Sequence, residues 1–408
     1  MADSNPSINP TPNRSPNPSP NPSPNSLPNS PPTSPTVSAA STTMNSGTVI
    51  GAPSMTSATT GVGADAAQGR RESFAMDELA VVMSHYDIGT IRSIKEFPRG
   101  SRKAPKLLID AEKGAFLLKR RAKGRDDSSK VAFAHAIQLR LIELQFPLPH
   151  LIGTRATENS MLELSSASFG GIYELFEYIP GQNYTGSLDA TDDAGRVLAL
   201  YHKLLADFQT NFTSSSGSYH NSSAVANALT TIGKTGSPQL AELCQRLRDS
   251  YEFCAEVVEA HGYSHWPRQV IHADWHPGNM LFRENRIVAV IDYDSARILP
   301  RVIDAANGAL QFSIIGTDDN IASWCEYADE SRFKRFVRGY DQVQLLSEAE
   351  LHSMPHLMCE ALIAEAVFPI MATGKFARFD GGDFLAMVRR KITWLSEHSE
   401  DLIKLVSE

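Results

Sequence analysis

Apolar periodicity is absent from residues 1 to about 72. Asn-Pro-Ser units run from Asn5 to Pro35, and a Ser/Thr/Ala/Gly stretch follows. Such a composition cannot bury enough apolar surface to offset chain entropy, so 1–72 is expected to be a disordered extension with polyproline-II character. Helical spacing begins with Phe74, Leu79, Val82, Met83 and Tyr86. Short runs at 91–97, 106–110 and 115–119 follow, punctuated by Pro98-Arg99-Gly100-Ser101 and Glu112-Lys113-Gly114. They predict three consecutive antiparallel strands. An amphipathic helix is expected over 130–144 (Val131, Ala134, Ile137, Leu141, Leu144), stopped at Pro147. Two more strands are read at 161–164 and 171–176, then helices over 189–208, 239–261, 323–339, 347–373 and 382–396. Asp304 opens a helix of its own, and Ser/Asn/Gly-rich 210–238 reads as a surface loop. The class is α+β: a small antiparallel sheet, then a mainly helical part.

One stretch carries the chemistry. The apolar run Val270-Ile271 delivers His272-Ala273-Asp274-Trp275-His276-Pro277-Gly278-Asn279, and a second run, 287–291, delivers Asp292-Tyr293-Asp294. Strand ends hold their side chains firmly, so this order can bring two carboxylates and an amide oxygen to one spot. Hard cations such as Mg²⁺ take oxygen ligands of this kind, one or two carboxylates plus substrate phosphates. Pro277-Gly278 supplies the bend that turns Asn279 back toward Asp292.

H-x-D-x-x-x-x-N followed by an Asp after a hydrophobic strand resembles the catalytic loop and metal-binding Asp of the protein-kinase fold. More closely, 272–281 is similar to the H-G-D-x-x-P-G-N-(I/L)-L loop of the aminoglycoside phosphotransferase/choline kinase family, which includes type II homoserine kinase-like and spore-coat kinase-like proteins. The resemblance spans roughly 75–400. It implies a bilobal kinase-like fold, with an N-lobe over 73–180 and a C-lobe over 181–408. It also implies ATP and Mg²⁺ as cofactors. By the same resemblance Asp274 is the base that accepts or orients a hydroxyl proton, and Asn279 and Asp292 hold Mg²⁺. Lys119 steadies the nontransferred phosphates, and the turn at Gly100 and Ser101 lies over them. The backbone of Glu177, Tyr178 and Ile179 meets adenine.

Several positions depart from the pattern or stay open. The turn has one glycine where protein kinases show G-x-G-x-x-G. The family's helix Glu, which pairs with the strand lysine, has no counterpart: His135 and Gln138 stand at the expected distance and Glu143 further on. Arg120 or Arg121 replaces Lys119 if the strand register is off by one. Asp294 is a second metal or substrate ligand to consider. His272 is expected to buttress the loop, His276 to pack, His202 to be a satisfied buried histidine, and Asp304 to serve the first turn of its helix.

Composition narrows the function. A formal charge of −8 and a pI of about 5.9 argue against a nucleic-acid partner. The basic cluster 119–125 is then expected to be a solvated strand end. The most apolar stretch, 357–372, is interrupted by Glu360 and Glu365 and reads as a packed helix rather than a membrane span. No secretory h-region follows Met1, and the four cysteines have no C-x-x-C spacing. A cytoplasmic protein with free thiols is expected. H-R-D, D-F-G and A-P-E are all missing, which disfavours protein substrates. What remains is a kinase whose partners are ATP and the hydroxyl of an amino alcohol, amino acid or amino sugar. The alternative is a non-catalytic nucleotide-binding scaffold whose tail meets an unidentified protein.

Overall fold

A computed structural model describes residues 71–315 and 320–407. All but the last two residues of the predicted extension therefore lie outside the described residues. The first element is helix α1 (Met76–Ser84). Strands β1 (Ile91–Glu96), β2 (Lys106–Ala111) and β3 (Gly114–Arg120) follow, as the pattern predicts. Helix α2 (Ser128–Glu143) is capped by Asp127, whose carboxylate accepts from the Ser129 and Lys130 amides. Strands β4 (Leu162–Ser165) and β5 (Gly170–Glu177) complete an antiparallel sheet of order β1-β2-β3-β5-β4.

Alternation divides the two faces of this sheet. Leu107, Ile109, Leu118, Tyr173 and Leu175 join Val82 and Ile88 in a small apolar core. The other face carries the cross-strand row Lys106, Lys119 and Glu174, set by direct pairing of β2 with β3 and of β3 with β5. Helix α2 packs Phe133, Ile137 and Leu141 into the larger cluster formed by the helical part.

The helical part begins with α3 (Leu188–Leu204), α4 (Ser223–Thr235) and α5 (Pro238–Ala260). Two antiparallel ribbons follow: β6 (Gln269–Ile271) pairs with β9 (Arg297–Leu299), and β7 (Met280–Arg283) pairs with β8 (Arg286–Val290). Helices α6 (Val302–Ser313), α7 (Glu330–Asp341) and α8 (Glu348–Thr373) come next. A hairpin of β10 (Lys375–Phe376) and β11 (Phe379–Asp380) then leads to α9 (Gly381–Glu397) and α10 (Ser399–Ser407). Helices α3 and α7 cross closely because Gly195 and Gly339 carry no Cβ: one at Gly195 would overlap the Phe336 carbonyl, and one at Gly339 the Asp192 carbonyl. Helix α8 is apolar and long enough to cross a membrane by length and composition alone. It is instead largely buried, with Leu357, Met358, Ala361 and Val367 inside the core, as read from its interrupting acids.

The structure corrects two expectations. The loop read over 210–238 contains α4, whose Val225, Ala228, Leu229 and Ile232 form a buried stripe beneath a polar face. The helix expected over 323–339 starts only at Glu330, because Asp329 caps it and Ala328 bridges to Ile314 in extended form.

Candidate active site

The chain leaves β6 at His272 and turns sharply. Ala273 adopts a left-handed backbone, φ +58°, which costs a non-glycine residue roughly 1–2 kcal/mol. Asp304 on α6 holds the turn in place. Its Oδ2 accepts from the His272 amide at 2.6 Å and its Oδ1 from the Ala273 amide at 2.7 Å. Asp304 is thus a clamp on the loop backbone rather than only a first-turn acid. His202 is buried between Asp304 and the Tyr340 hydroxyl, as expected of a satisfied core histidine. His272 buttresses the loop against Trp275, Tyr201 and Tyr293.

One turn of 3₁₀ helix, Pro277–Asn279, brings the chain back. His276 closes it: its Nδ1 accepts from the Gly278 amide, and Nε2 lies 3.7 Å from Asp274 Oδ1. Asn279 Nδ2 donates to the Asp274 carbonyl at 3.1 Å and to Asp274 Oδ2 at 2.9 Å. Its Oδ1 accepts no hydrogen bond among the described residues. The Ile291 amide donates to the Asn279 carbonyl at 2.9 Å, fixing the second segment beside the first. Asp292 follows with φ +66°, a second left-handed non-glycine. Strained backbone of this kind persists only where its surroundings over-determine it.

Asn279 and Asp292 line a cleft of about 270 Å³ between the sheet and the ribbons. The carboxylate of Asp292 has no hydrogen bond or ion pair among the described residues. Crowding by protein raises its pKa, and Asp294 and Asp274 add to the effect against Lys119 and Lys106. Gly100, Lys119, Glu177, Tyr178 and Ile179 line the same cleft. Ser101 does not: its hydroxyl accepts from the Lys103 amide and closes the turn. The Glu177 and Tyr178 amides are engaged by the His150 and Ala115 carbonyls. The Ile179 amide has no backbone acceptor among the described residues. Leu117, Phe176, Leu281 and Ile291 form apolar walls.

The partner of Lys119 is none of the three residues considered. Gln138 turns back onto the Ala134 carbonyl, Glu143 sits outside with Arg140, and His135 bonds Glu174 at 2.7 Å. Lys119 Nζ lies 3.8 Å from Glu174 on β5 and 3.3 Å from Asp294. The acid that the family pattern sets on the helix comes here from the neighbouring strand. Arg121, on the same face, bridges both acids, at 2.8 Å to Glu174 and 2.7 Å to Asp294. Arg120 points the other way, to Glu78 and Glu72. So 119–121 is a paired, largely buried cluster and not a solvated strand end.

Burial alone would raise both acids, but the two cations more than offset it. Arg121 and Lys119, with the His135 hydrogen bond, hold Glu174 well below the carboxylate range, and Arg121 and Lys119 hold Asp294 at about 2. Burial would lower the Lys119 pKa, yet Asp294 and Glu174 raise it. Asp294 is therefore occupied by ion pairs. Lys106, opposite Lys119, also faces the cleft, its pKa lowered by burial and by Lys119. The sequence pattern does not single out Lys106 or Glu174, and it offers Arg121 only as a substitute for Lys119, not as the bridge between two acids. Glu174 left one trace, a lone acid at an inward position of the apolar run 172–176.

Residues 93–352 match the sequence model of the "Phosphotransferase enzyme family". Curated relatives include a homoserine kinase of Parvibaculum lavamentivorans, 26% identical over 297 residues, covering 69% of this chain and 81% of its own. A homoserine kinase of Afipia carboxidovorans is 24% identical over 339 residues, covering 81% and 88%. Among solved structures, a microcompartment-associated aminopropanol kinase superposes with a TM-score of 0.57 at 17% identity, covering 81% of this chain and all of its own. An aminoglycoside phosphotransferase of Alicyclobacillus acidocaldarius gives 0.55 at 15% identity, covering 84% and 98%.

Proposed function

The chain belongs to the phosphotransferase enzyme family, and on that premise we propose an ATP- and Mg²⁺-dependent kinase for the hydroxyl of a small molecule that also carries an amino group. Kinase chemistry on a small-molecule hydroxyl is the coarser, shared property of the family and its relatives. ATP, Mg²⁺ and the amine go beyond that shared property. The observation that carries it is that Asn279 and Asp292, from two adjoining chain segments, line one cleft with Lys119, while Asn279 also bonds the Asp274 carboxylate.

The donor set fits a hard divalent cation. Asn279 turns its NH₂ to Asp274, which leaves Oδ1 as an oxygen ligand, and Asp292 offers an unpaired carboxylate. Among the described residues no three His, Cys, Asp or Glu side chains gather as a metal cage. Two protein oxygens suit Mg²⁺, which keeps waters and takes substrate phosphates as its remaining ligands. When bound, the ion would neutralise phosphate charge. In this reading Asp274 accepts the acceptor hydroxyl's proton, and Lys119, paired with Glu174 and Asp294, holds the nontransferred phosphates. The apolar walls suit a base, with the Ile179 amide as a donor at its edge. The structure of a related amicoumacin kinase holds AMP-PNP and Ca²⁺, which supports a nucleotide and a divalent ion in this fold.

The scaffold reading rests on the missing helix acid and on a turn with a single glycine. Glu174 stands beside Lys119 in place of the helix acid, which removes the first ground and favours the enzyme. Four free cysteines, three of them buried, support a reducing, cytoplasmic setting. The test is phosphate transfer from ATP across a panel of amino alcohols, hydroxy amino acids and amino sugars. Turnover with some acceptor is expected, and Asp274→Asn should lower it by roughly 10²–10⁴-fold while nucleotide still binds. Nucleotide binding without transfer to any acceptor would favour the scaffold.

A further inference from the structure

Beside the 272–279 loop lies a second cavity of about 190 Å³, more than ten times what one water requires. Ala273 and Asp304 line it, and Gly278 and Asn279 line the cleft, so the loop that carries Asp274 borders both. Its lining is largely apolar, with Val225, Ile303 and Phe368 among its walls. Two polar groups stand out against them. Arg297, buried at the start of β9, donates from Nε to the Ser295 carbonyl at 2.9 Å and from Nη1 to the Gly217 carbonyl at 3.1 Å. Both bonds orient the guanidinium without neutralising it. Among the described residues Arg297 forms no ion pair, and Nη2 donates to nothing. Asn307, one turn beyond Asp304 on α6, is 4% exposed, and its buried Oδ1 has no hydrogen-bond partner.

Asp304, an acid within the same cavity wall, cannot serve Arg297 as a free carboxylate. Its oxygens are taken by the His272 and Ala273 amides and by His202. A buried cation with no anion is expensive to keep, and a planar guanidinium fork is matched by a carboxylate. The surrounding charge selects among anions. One arginine beside Asp304 and Asp274 suits a single negative charge, whereas a phosphate dianion would meet those acids. The unpartnered Asn307 oxygen asks the same ligand for an N–H or O–H donor.

We propose that this cavity is the acceptor site and that Arg297 binds an acceptor carboxylate, with Asn307 Oδ1 taking a hydrogen from the acceptor's amine or hydroxyl. The preferred acceptors are then small hydroxy acids, hydroxylated amino acids among them, over amino alcohols and amino sugars that lack an anionic group. This deepens the kinase reading and rests on it for the transfer step. The site itself can be tested apart from turnover.

The experiment compares homoserine with 3-aminopropanol, which differ only by the carboxylate, in the full-length chain and in Arg297→Met and Arg297→Lys. In the wild type homoserine should be favoured roughly 100-fold or more in kcat/KM, the scale of losing a buried charge partner. Arg297→Met should abolish that preference, chiefly through KM for the acid, and leave the amino alcohol within about threefold. Arg297→Lys should restore part of it. Thermal shift without nucleotide gives a second readout on a panel of small hydroxy acids: stabilisation in the wild type, none in Arg297→Met. Retention of the Mg·ATP shift shows that this variant is folded. Equal losses for both acceptors, or carboxylate-induced stabilisation that survives Arg297→Met, would overturn the proposal. So would the absence of stabilisation by any hydroxy acid. Stabilisation by a hydroxy acid without phosphorylation would instead sink the kinase reading and leave the Arg297 site standing.

Discussion

The cleft and the cavity share one bordering loop and handle buried charge in different ways. In the cleft, Arg121 and Lys119 face Glu174 and Asp294, and each charge has partners on neighbouring strands or on the segment after β8. Paired acids there stay ionised. Across the loop, burial lowers the Arg297 pKa, and Asp304 and Asp274 recover only part of it. Nearby on α8, burial pushes the Glu365 carboxyl up to about 8, although Gln311 donates to it at 2.7 Å. The first arrangement balances its charges within the protein and fixes Lys119, although Arg121 Nε and Glu174 Oε2 make no hydrogen bond among the described residues. The second is balanced only when something outside the chain supplies a charge. Paired ions mark framework, and unpaired buried ones mark a place where a ligand binds.

That contrast can be broken most sharply by deleting one arginine from each region. Arg121→Met leaves two acids short of a cation, and removing one partner of a buried network should cost about 3–5 kcal/mol in urea unfolding. Arg297→Met orphans no acid and loses two bonds to carbonyls, so its cost should be at most about 1–2 kcal/mol. Equal costs would erase the distinction.

The acids should separate by pH in the same way. Asp294 is held near 2 against an ordinary 3.8. Its contribution is present above the ordinary value and lost as pH falls toward 2. Glu365 runs in reverse. Its pKa rises from 4.5 to about 8, so its contribution is present below 4.5 and lost as pH climbs through 8. Glu365→Gln should therefore gain stability over the wild type from pH 4.5 upward and level off above 8, measured as unfolding free energy at several pH values. A pH-independent difference would contradict the assignment. The smallest effect is expected in the loop that borders both spaces. Ala273→Gly relieves a left-handed alanine, offset by the greater backbone entropy of glycine, for a net gain of about 0.5 kcal/mol by denaturant titration. A loss larger than about 1 kcal/mol would mean the methyl group packs more than the backbone strains.

How much of this was legible in the sequence follows from which contacts are local. The 272–279 loop was readable because Asp274 and Asn279 lie within one turn of chain, and 287–291 aims Asp292 directly. The sheet and most helices followed from periodicity. Helix α4 was hidden because Ser, Thr and Asn on its exposed face outweighed the stripe Val225, Ala228, Leu229, Ile232. Glu174 escaped because it meets Lys119 through the register of β3 on β5, strands separated by an entire helix. Arg297 escaped for a further reason: what distinguishes it is a missing partner, and only three-dimensional structure shows what a side chain does not touch.

If Asn279 and Asp292 hold a divalent ion beside the nucleotide, within reach of Asp274, nucleotide binding should depend on the metal. The most direct measurement is ATP-induced thermal stabilisation with and without Mg²⁺, in the wild type and in Asp292→Asn. With ligand at ~100 times its Kd, binding should stabilise the wild type by about 2.7 kcal/mol, most of it requiring Mg²⁺. Asp292→Asn should keep the response to ATP alone and lose the Mg²⁺ increment. A wild type indifferent to Mg²⁺, or an Asp292→Asn variant with the full increment, would contradict the account.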